Sequence, residues 1–163
     1  MGSGARLYEV NSPFPNLLAS NHRITSRADP QYNCFAWAAH YTDRWLQPDR
    51  FGYWPGDIPD SLTLNNLTAV YAKDGFERCA SSEPELGYEK IAIYADRRGL
   101  PRHAARQLAD GKWSSKLGEF EDIEHDTLEA LESREYGRPV RYLRRPLAPV
   151  GPDNEGLKSP YVP

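Results

Sequence analysis

The chain has 163 residues, with 20 Lys and Arg against 23 Asp and Glu, so its formal net charge is −3. A chain of this length is expected to form one domain around one core. Its arginines are scattered or paired, as in Arg97-Arg98 and Arg144-Arg145, which argues against a nucleic-acid-binding surface. No apolar run is long enough for a signal peptide or a membrane span. We therefore expect a cytoplasmic protein without a membrane partner.

Residues 1–29 contain several turn-forming Pro, Asn and Ser residues and are predicted to be irregular. Asn33 then provides a good N-cap. Apolar residues recur at helical spacing from Cys34 to Trp45 and predict a helix over about residues 34–45. This helix would carry a thiol in its first turn, where unpaired N–H groups favour the thiolate. A buried structural cysteine is the alternative, because free cysteine is among the most buried residue types.

Cys34 and Cys79 are the two cysteines of the chain. Two cysteines are too few for a disulfide scaffold, and their spacing is not that of metal ligands. We therefore predict two free thiols, no metal and no cofactor. A Cys34–Cys79 disulfide is the alternative, and it would abolish any thiol chemistry.

An aromatic, turn-rich loop follows at residues 47–56. Its Phe51, Tyr53 and Trp54 either line a substrate cleft or cover the core. A second helix is predicted over residues 62–73, with Asp60 or Ser61 as its cap.

Segments rich in β-forming residues predict strands at 90–95, 103–108 and 112–117, arranged as an antiparallel meander. Asp110-Gly111 favours a two-residue hairpin loop between the last two. The spacing predicts a third helix over 121–133 and a final strand over 140–144. These segments make one α+β domain over residues 30–146, with the thiol helix packed on an antiparallel sheet. A Pro-rich extended tail follows at 147–163.

His103 makes Cys34 a candidate nucleophile. The residue begins a predicted strand, near the rim of the sheet. A histidine at a strand end can accept the proton of a thiol at a helix N-terminus, which activates the sulfur. The alternative is that His103 is an ordinary polar strand residue.

A histidine base also needs a group that holds its ring. A two-residue loop at Asp110-Gly111 would place position 103 opposite 118, which brings Ser115 and Lys116 beside His103. The candidates for a third catalytic member stay open and are Ser115, Lys116, Asp122, Gln107, Glu124 and its neighbour His125.

An oxyanion hole would use the backbone N–H of Cys34 and a side-chain amide just upstream, from Asn33 or Gln31. The predicted substrate pocket is aromatic and consists of Trp37, Tyr53, Trp54 and Trp113. Phosphate-binding glycine loops, H-E-x-x-H and G-x-S-x-G are absent from the sequence, which argues against nucleotide and zinc chemistry.

Several motifs resemble those of a bacterial domain family without a settled activity. They are Tyr-Asn-Cys-x-Ala-Trp-Ala at 32–38, Glu-Lys-Ile-Ala-Ile-Tyr-Ala at 89–95, His-Ala-Ala-Arg-Gln at 103–107, Trp-Ser-Ser-Lys-Leu-Gly at 113–118 and Asp-Ile-x-His at 122–125. More distantly, the layout resembles the NlpC/P60 and CHAP amidase-peptidases. In those enzymes an Asn-Cys or similar step opens a helix and the histidine follows in an antiparallel sheet. This resemblance implies a Cys34–His103 dyad in a papain-like α+β core.

Three functions are therefore considered. The first is a cysteine-dependent enzyme that hydrolyses or transfers the acyl group of an amide, ester or thioester, acting on a small or peptide-like substrate. The second uses the same pocket for cyclisation or proton transfer on a small metabolite. The third is a non-catalytic binding or immunity-type module, with the aromatic loop and the Pro-rich tail as its partner surface.

Overall fold

A computed structural model describes residues 13–117 and 120–147. Within this part of the chain, seven strands form one antiparallel sheet in the order β1-β6-β5-β4-β3-β7-β2. The strands are β1 His22–Ile24, β2 Glu77–Cys79, β3 Tyr88–Ala95, β4 Pro101–Gln107, β5 Trp113–Lys116, β6 Asp122–His125 and β7 Arg138–Pro146. The helices are α1 Cys34–Ala38 and α2 Leu64–Ala72, and a 3₁₀ segment spans Leu128–Leu131.

The sheet is buried on both faces. Ile91 and Ile93 of β3 pack on a first face together with residues of α1 and α2. Ala92 and Tyr94 point the other way, into a second core that includes residues of the 3₁₀ segment. Side chains of a strand alternate between the two faces of its sheet, so the central strands supply both cores.

This architecture corrects the predicted fold class. The α+β papain-like fold, with three helices packed on a sheet, is wrong, because the described chain is mostly a seven-stranded antiparallel sheet with two short helices. The third helix predicted over 121–133 is instead β6 followed by the 3₁₀ segment. In β6, Ile123 belongs to the second core, whereas Asp122 accepts a hydrogen bond from Tyr32 on the first face. Successive residues on opposite faces are typical of a β-strand rather than of a helix.

The first helix is much shorter than predicted. It ends at Ala38 because His40 adopts a left-handed conformation with φ of 71°. The N–H groups of His40 and Tyr41 then bond back to the carbonyls of Trp37 and Ala36, each at 2.9 Å. These two bonds form a Schellman cap. The prediction of a helix to about residue 45 was wrong because it relied on apolar spacing alone. Such spacing does not indicate where a helix ends when the residue of the C-cap is not glycine.

The second helix forms close to the predicted range, but Thr63 rather than Asp60 or Ser61 is its N-cap. The side chain of Thr63 accepts a hydrogen bond from the Asn66 N–H at 3.0 Å. The strand β1, within the segment predicted to be irregular, pairs with β6 at the edge of the sheet. Residues 1–12 and the predicted tail from residue 148 onward lie outside the described residues.

The β4–β5 hairpin has a three-residue loop rather than the predicted two-residue loop. The N–H of Leu108 bonds to the Lys112 carbonyl at 2.7 Å, and Gly111 has φ of 89°. Arg106 is consequently paired with Ser114, one residue away from the predicted register. A shift of one residue exchanges the faces of all side chains on a strand. The shift therefore brings Ser115, rather than Lys116, to the face of His103.

Gly137 permits a close approach between two segments. It has φ of 72°, and a Cβ there would lie 1.9 Å from the carbonyl oxygen of Ala95. We expect Gly137→Ala to lower the free energy of unfolding by at least about 3 kcal/mol, measured by urea denaturation. Gly99 is the matched control, because it has φ of 80° but a Cβ added there would meet no atom within 4 Å. Gly99→Ala should cost only about 1–2 kcal/mol, and equal losses would contradict the role of the Ala95 contact.

No helix in the described ranges is both long and apolar enough to cross a membrane.

Candidate functional site

Cys34 is the first residue of α1, as predicted from the Asn33 cap. The Asn33 side-chain oxygen accepts hydrogen bonds from the N–H groups of Ala36 at 3.0 Å and Leu46 at 3.1 Å. Its amide nitrogen donates to the carbonyl of Leu46 at 3.1 Å. Asn33 thus ties α1 to the following loop, and the amide predicted to stabilise an oxyanion already has a partner. Gln31, the other candidate, is exposed.

The Cys34 thiol lies among backbone N–H groups inside the first core. The residue is 8% exposed, and burial raises the pKa of its thiol to about 12. Hydrogen bonds from the backbone of Ala104, Phe35 and Cys34 itself act in the opposite direction and favour the thiolate. These backbone groups favour an anion, but desolvation is the larger effect and keeps the thiol protonated.

The hydrogen bond from the Ala104 backbone places the Cys34 sulfur beside strand β4. Backbone N–H groups lie in the plane of a sheet and point toward neighbouring strands. Strand β3 is paired with β4 across Ala104, whereas the residue pairs of β4 with β5 begin at Arg106 and Ser114. Helix α1 packs on both β4 and β5. The Cys34 sulfur therefore lies beside Ala104, in the part of β4 that has no residue pair with β5.

His103 is the third residue of β4 and is fully buried, not at the rim predicted from the sequence. Its Nε2 is 2.9 Å from the Ser115 hydroxyl, which is 2.8 Å from Nε2 of His125. The other ring nitrogen of His125, Nδ1, is 2.8 Å from the carbonyl oxygen of Thr127. A chain of hydrogen bonds thus runs across β4, β5 and β6.

The donors and acceptors of this hydrogen-bond chain can be assigned when the imidazole rings of His103 and His125 are both neutral. Burial lowers the pKa of His125 to about 4, and that of His103 well below its usual range. The Thr127 carbonyl can only accept, so Nδ1 of His125 carries the proton and its Nε2 accepts from Ser115. The Ser115 oxygen then accepts from Nε2–H of His103. This assignment leaves a lone pair on Nδ1 of His103, which is buried and has no hydrogen-bond partner among the described residues.

Cys34 and His103 lie on opposite faces of the sheet. His103 and Ala104 are successive strand residues, so the imidazole lies on the second face, whereas Ala104 belongs to the core of α1. The ring stacks on Tyr136, with 4.1 Å between ring centroids and 4° between the planes. No hydrogen bond joins the thiol to the imidazole in this structure, since Nε2 bonds Ser115 and Nδ1 is unpartnered.

Among the predicted third members, Ser115 is the one that forms a hydrogen bond with His103. Lys116 lies on the first face, with its Nζ 4.6 Å from the centre of the Tyr32 ring. Asp122 accepts a hydrogen bond from the Tyr32 hydroxyl at 2.7 Å. Gln107 donates to the carbonyl of Ser82 at 2.7 Å. Glu124, considered with His125, pairs with Arg23 at 2.6 Å, at the edge of the sheet.

The four aromatic residues of the predicted pocket do not form one pocket. Trp37 donates to Ser114 at 2.9 Å on the first face, whereas Trp113 packs into the second core. Tyr53 is 47% exposed, and Trp54 donates to the carbonyl of Pro59 at 2.9 Å. The aromatic loop therefore lies away from the His103 ring.

Sequence reasoning did not predict that Tyr136 covers the imidazole or that His125 continues the hydrogen-bond chain. Tyr136 precedes Gly137 in the sequence, and the close approach of Gly137 to Ala95 fixes the backbone at this point. Both cysteines are free. In the part of the chain that the structure describes, no group of three or more His, Cys, Asp or Glu side chains could hold a metal ion.

The chain matches the model of a domain of unknown function (DUF7689) over residues 23–144. It belongs to this family. The match includes Cys34, His103, Ser115 and His125, and it agrees with the resemblance to an uncharacterised domain family. No curated protein and no solved structure gives a significant match to the chain. Nothing in these comparisons links it to the NlpC/P60 or CHAP enzymes.

Proposed function

We propose that this domain is a cysteine-dependent acyl-transfer enzyme, with Cys34 as nucleophile and His103 as general base. The observation that carries the proposal is the unpartnered Nδ1 of His103, on a ring whose Nε2 is held by Ser115. The next residue, Ala104, supplies a backbone hydrogen bond to the Cys34 thiol. An unsatisfied buried nitrogen is costly and suggests a catalytic role.

In the proposed reaction, Nδ1 of His103 takes the thiol proton as the Cys34 sulfur attacks the acyl carbon of an amide, ester or thioester. The carbonyl electron pair moves onto oxygen and returns when the leaving group departs with that proton. Water or an amine, deprotonated by His103, then attacks the thioester, and the Cys34 sulfur departs and takes that proton back from His103. Ser115 acts as a positioning residue, because it fixes the tautomer that leaves Nδ1 basic.

Both reacting groups are buried, so this reaction requires an opening of the structure between β4 and β5. The backbone N–H groups around the sulfur are in place to stabilise the thiolate once it forms. From the NlpC/P60 and CHAP resemblance, the proposal keeps only the chain order of a helical cysteine followed by a strand histidine. A free catalytic thiol fits the proposed cytoplasmic location.

The burial of Cys34 favours a second candidate, a non-catalytic binding or immunity-type module. In that case the thiol is a packing group, as buried cysteines commonly are. The exposed Phe51, at 77%, and Tyr53 would then form part of the partner surface.

The two candidates differ in where an activated ester reacts. We expect p-nitrophenyl acetate to add one acetyl group to Cys34, detected by intact mass and peptide mapping in a Cys79→Ala background. Cys34→Ala in the same background should abolish that adduct. Acetylation of Cys79 but not of Cys34 in the wild-type chain would contradict the proposed acyl-transfer activity and favour the non-catalytic binding module.

A further inference from the structure

An open cleft of about 1170 Å³ lies at one end of the sheet. One wall is the turn between β3 and β4, and the other is formed by residues 132–134 and the start of β7. Four arginines line it: Arg97, Arg98, Arg134 and Arg138.

All four arginines of the cleft are exposed. No hydrogen bond or ion pair within the described ranges engages their guanidinium groups. The acidic residues of the lining are Asp96 and Glu132, so four positive charges face two negative ones. Asp96 is already committed to its own turn, where it accepts from the N–H groups of Arg98 at 2.9 Å and Leu100 at 3.1 Å.

The backbone that carries these arginines is held in place on both walls. In the β3–β4 turn, the N–H of Gly99 bonds to the Asp96 carbonyl at 2.9 Å. On the other wall, Ser133 and Gly137 exchange backbone hydrogen bonds at 3.2 and 2.8 Å. Gly137 also allows this hairpin to rest on Ala95. The backbone positions of the four arginines around the cleft are therefore fixed by these contacts.

We infer that this cleft binds the anionic group of a small molecule, either a phosphate or a carboxylate. Guanidinium groups present paired N–H donors that match both kinds of oxyanion. The overall charge of the chain is −3, so the net positive charge of the cleft is a local feature. At about 1170 Å³, the cleft has room for a small molecule as well as for a bare inorganic ion.

The cleft shares one wall with the segment that covers the proposed catalytic histidine. Tyr136 belongs to the Ser133–Gly137 hairpin that forms one wall, and its ring stacks on His103. A ligand in the cleft would therefore contact the segment that covers the imidazole. If the anion belongs to the acyl substrate, that assignment rests on the proposed function, whereas anion binding itself does not.

Isothermal titration with pyrophosphate and with tricarballylate, a tricarboxylate, tests the inference. Arg97→Gln with Arg134→Gln removes one charge from each wall, and we expect the Kd of the bound anion to rise at least about tenfold. The control combines Arg27→Gln with Arg78→Gln, which removes two exposed arginines elsewhere. Its Kd should stay within about twofold of the wild type.

The anion with the lower Kd, pyrophosphate or tricarballylate, identifies the bound group as a phosphate or a carboxylate. Cys34→Ala should bind it as tightly as the wild type, so loss of acyl transfer and loss of anion binding are separable. Absence of binding by the wild-type chain at millimolar anion, or an equal loss in the control variant, would overturn the inference.

Discussion

His103→Gln is expected to slow acetylation of Cys34 by about 10²–10⁴-fold, the usual contribution of a general base. Glutamine can still donate a hydrogen bond to Ser115, but it has no basic nitrogen to take the thiol proton. The measurement is the rate of acetyl-Cys34 formation by mass spectrometry, in a Cys79→Ala background. His22→Gln is the matched control, because it makes the same change in β1 at the edge of the sheet, and its rate should be that of the unsubstituted chain.

The pH profile separates a catalytic base from a merely structural histidine. The pKa of His103 is lowered and that of Cys34 is raised to about 12, so both groups are neutral near pH 7. A base-assisted rate should stay flat from about pH 7 to about pH 10 and fall in acid as His103 becomes protonated. In His103→Gln the thiolate alone reacts, and the rate should rise about tenfold per pH unit. A tenfold increase in rate per pH unit in both the unsubstituted chain and His103→Gln would show that His103 is not the general base.

Acid is expected to destabilise the fold strongly, because His103 and His125 are buried as neutral rings. The pKa of His125 falls from 6.5 to about 4 on folding, mainly through desolvation, and that of His103 falls well below 6.5. Between these values the unfolded chain binds more protons than the folded one, so stability decreases as the pH falls. From about pH 7 to about pH 5, each ring should cost roughly 2 kcal/mol of unfolding free energy.

Urea denaturation at about pH 7 and about pH 5 measures this loss. The double variant His103→Gln, His125→Gln should be less stable at neutral pH but should lose most of the pH dependence. A smaller dependence of the same sign remains, because burial also lowers the pKa of His40. His22→Gln is the control and should keep most of the dependence, because desolvation rather than His22 is the main cause of the lowered pKa of His125. An unchanged pH dependence in the double variant would contradict the claim that the buried, neutral rings of His103 and His125 cause the loss of stability in acid.

Local sequence patterns predicted those elements whose signals are local. Asn33 caps α1 and places Cys34 at its start, as its capping chemistry predicts. The β-forming stretches became β3, β4 and β5 of an antiparallel meander. The apolar spacing after Leu64 became α2. In each case, neighbouring residues carry enough information to select a conformation.

Predictions that required a partner distant in sequence were less accurate. The end of α1 depends on a left-handed His40, which Glu89 and Arg106 contact at 2.8 and 2.6 Å. Strand β6 exists because β5 and β1 supply its hydrogen bonds, although its spacing also suited a helix. Strand β1 is three residues long, too short for a local pattern to indicate.

The sequence alone determined the capped thiol, the meander and the acid-base residue types that define the candidate site. Tertiary structure decided how those groups face one another. The one-residue register of the β4–β5 hairpin selected Ser115 over Lys116 as the partner of His103. The packing of α1 placed Cys34 on the first face of the sheet, and strand alternation placed His103 on the second. Burial then set the protonation states of these groups. Register, alternation and desolvation depend on neighbouring strands and on packing, so the local sequence does not encode them.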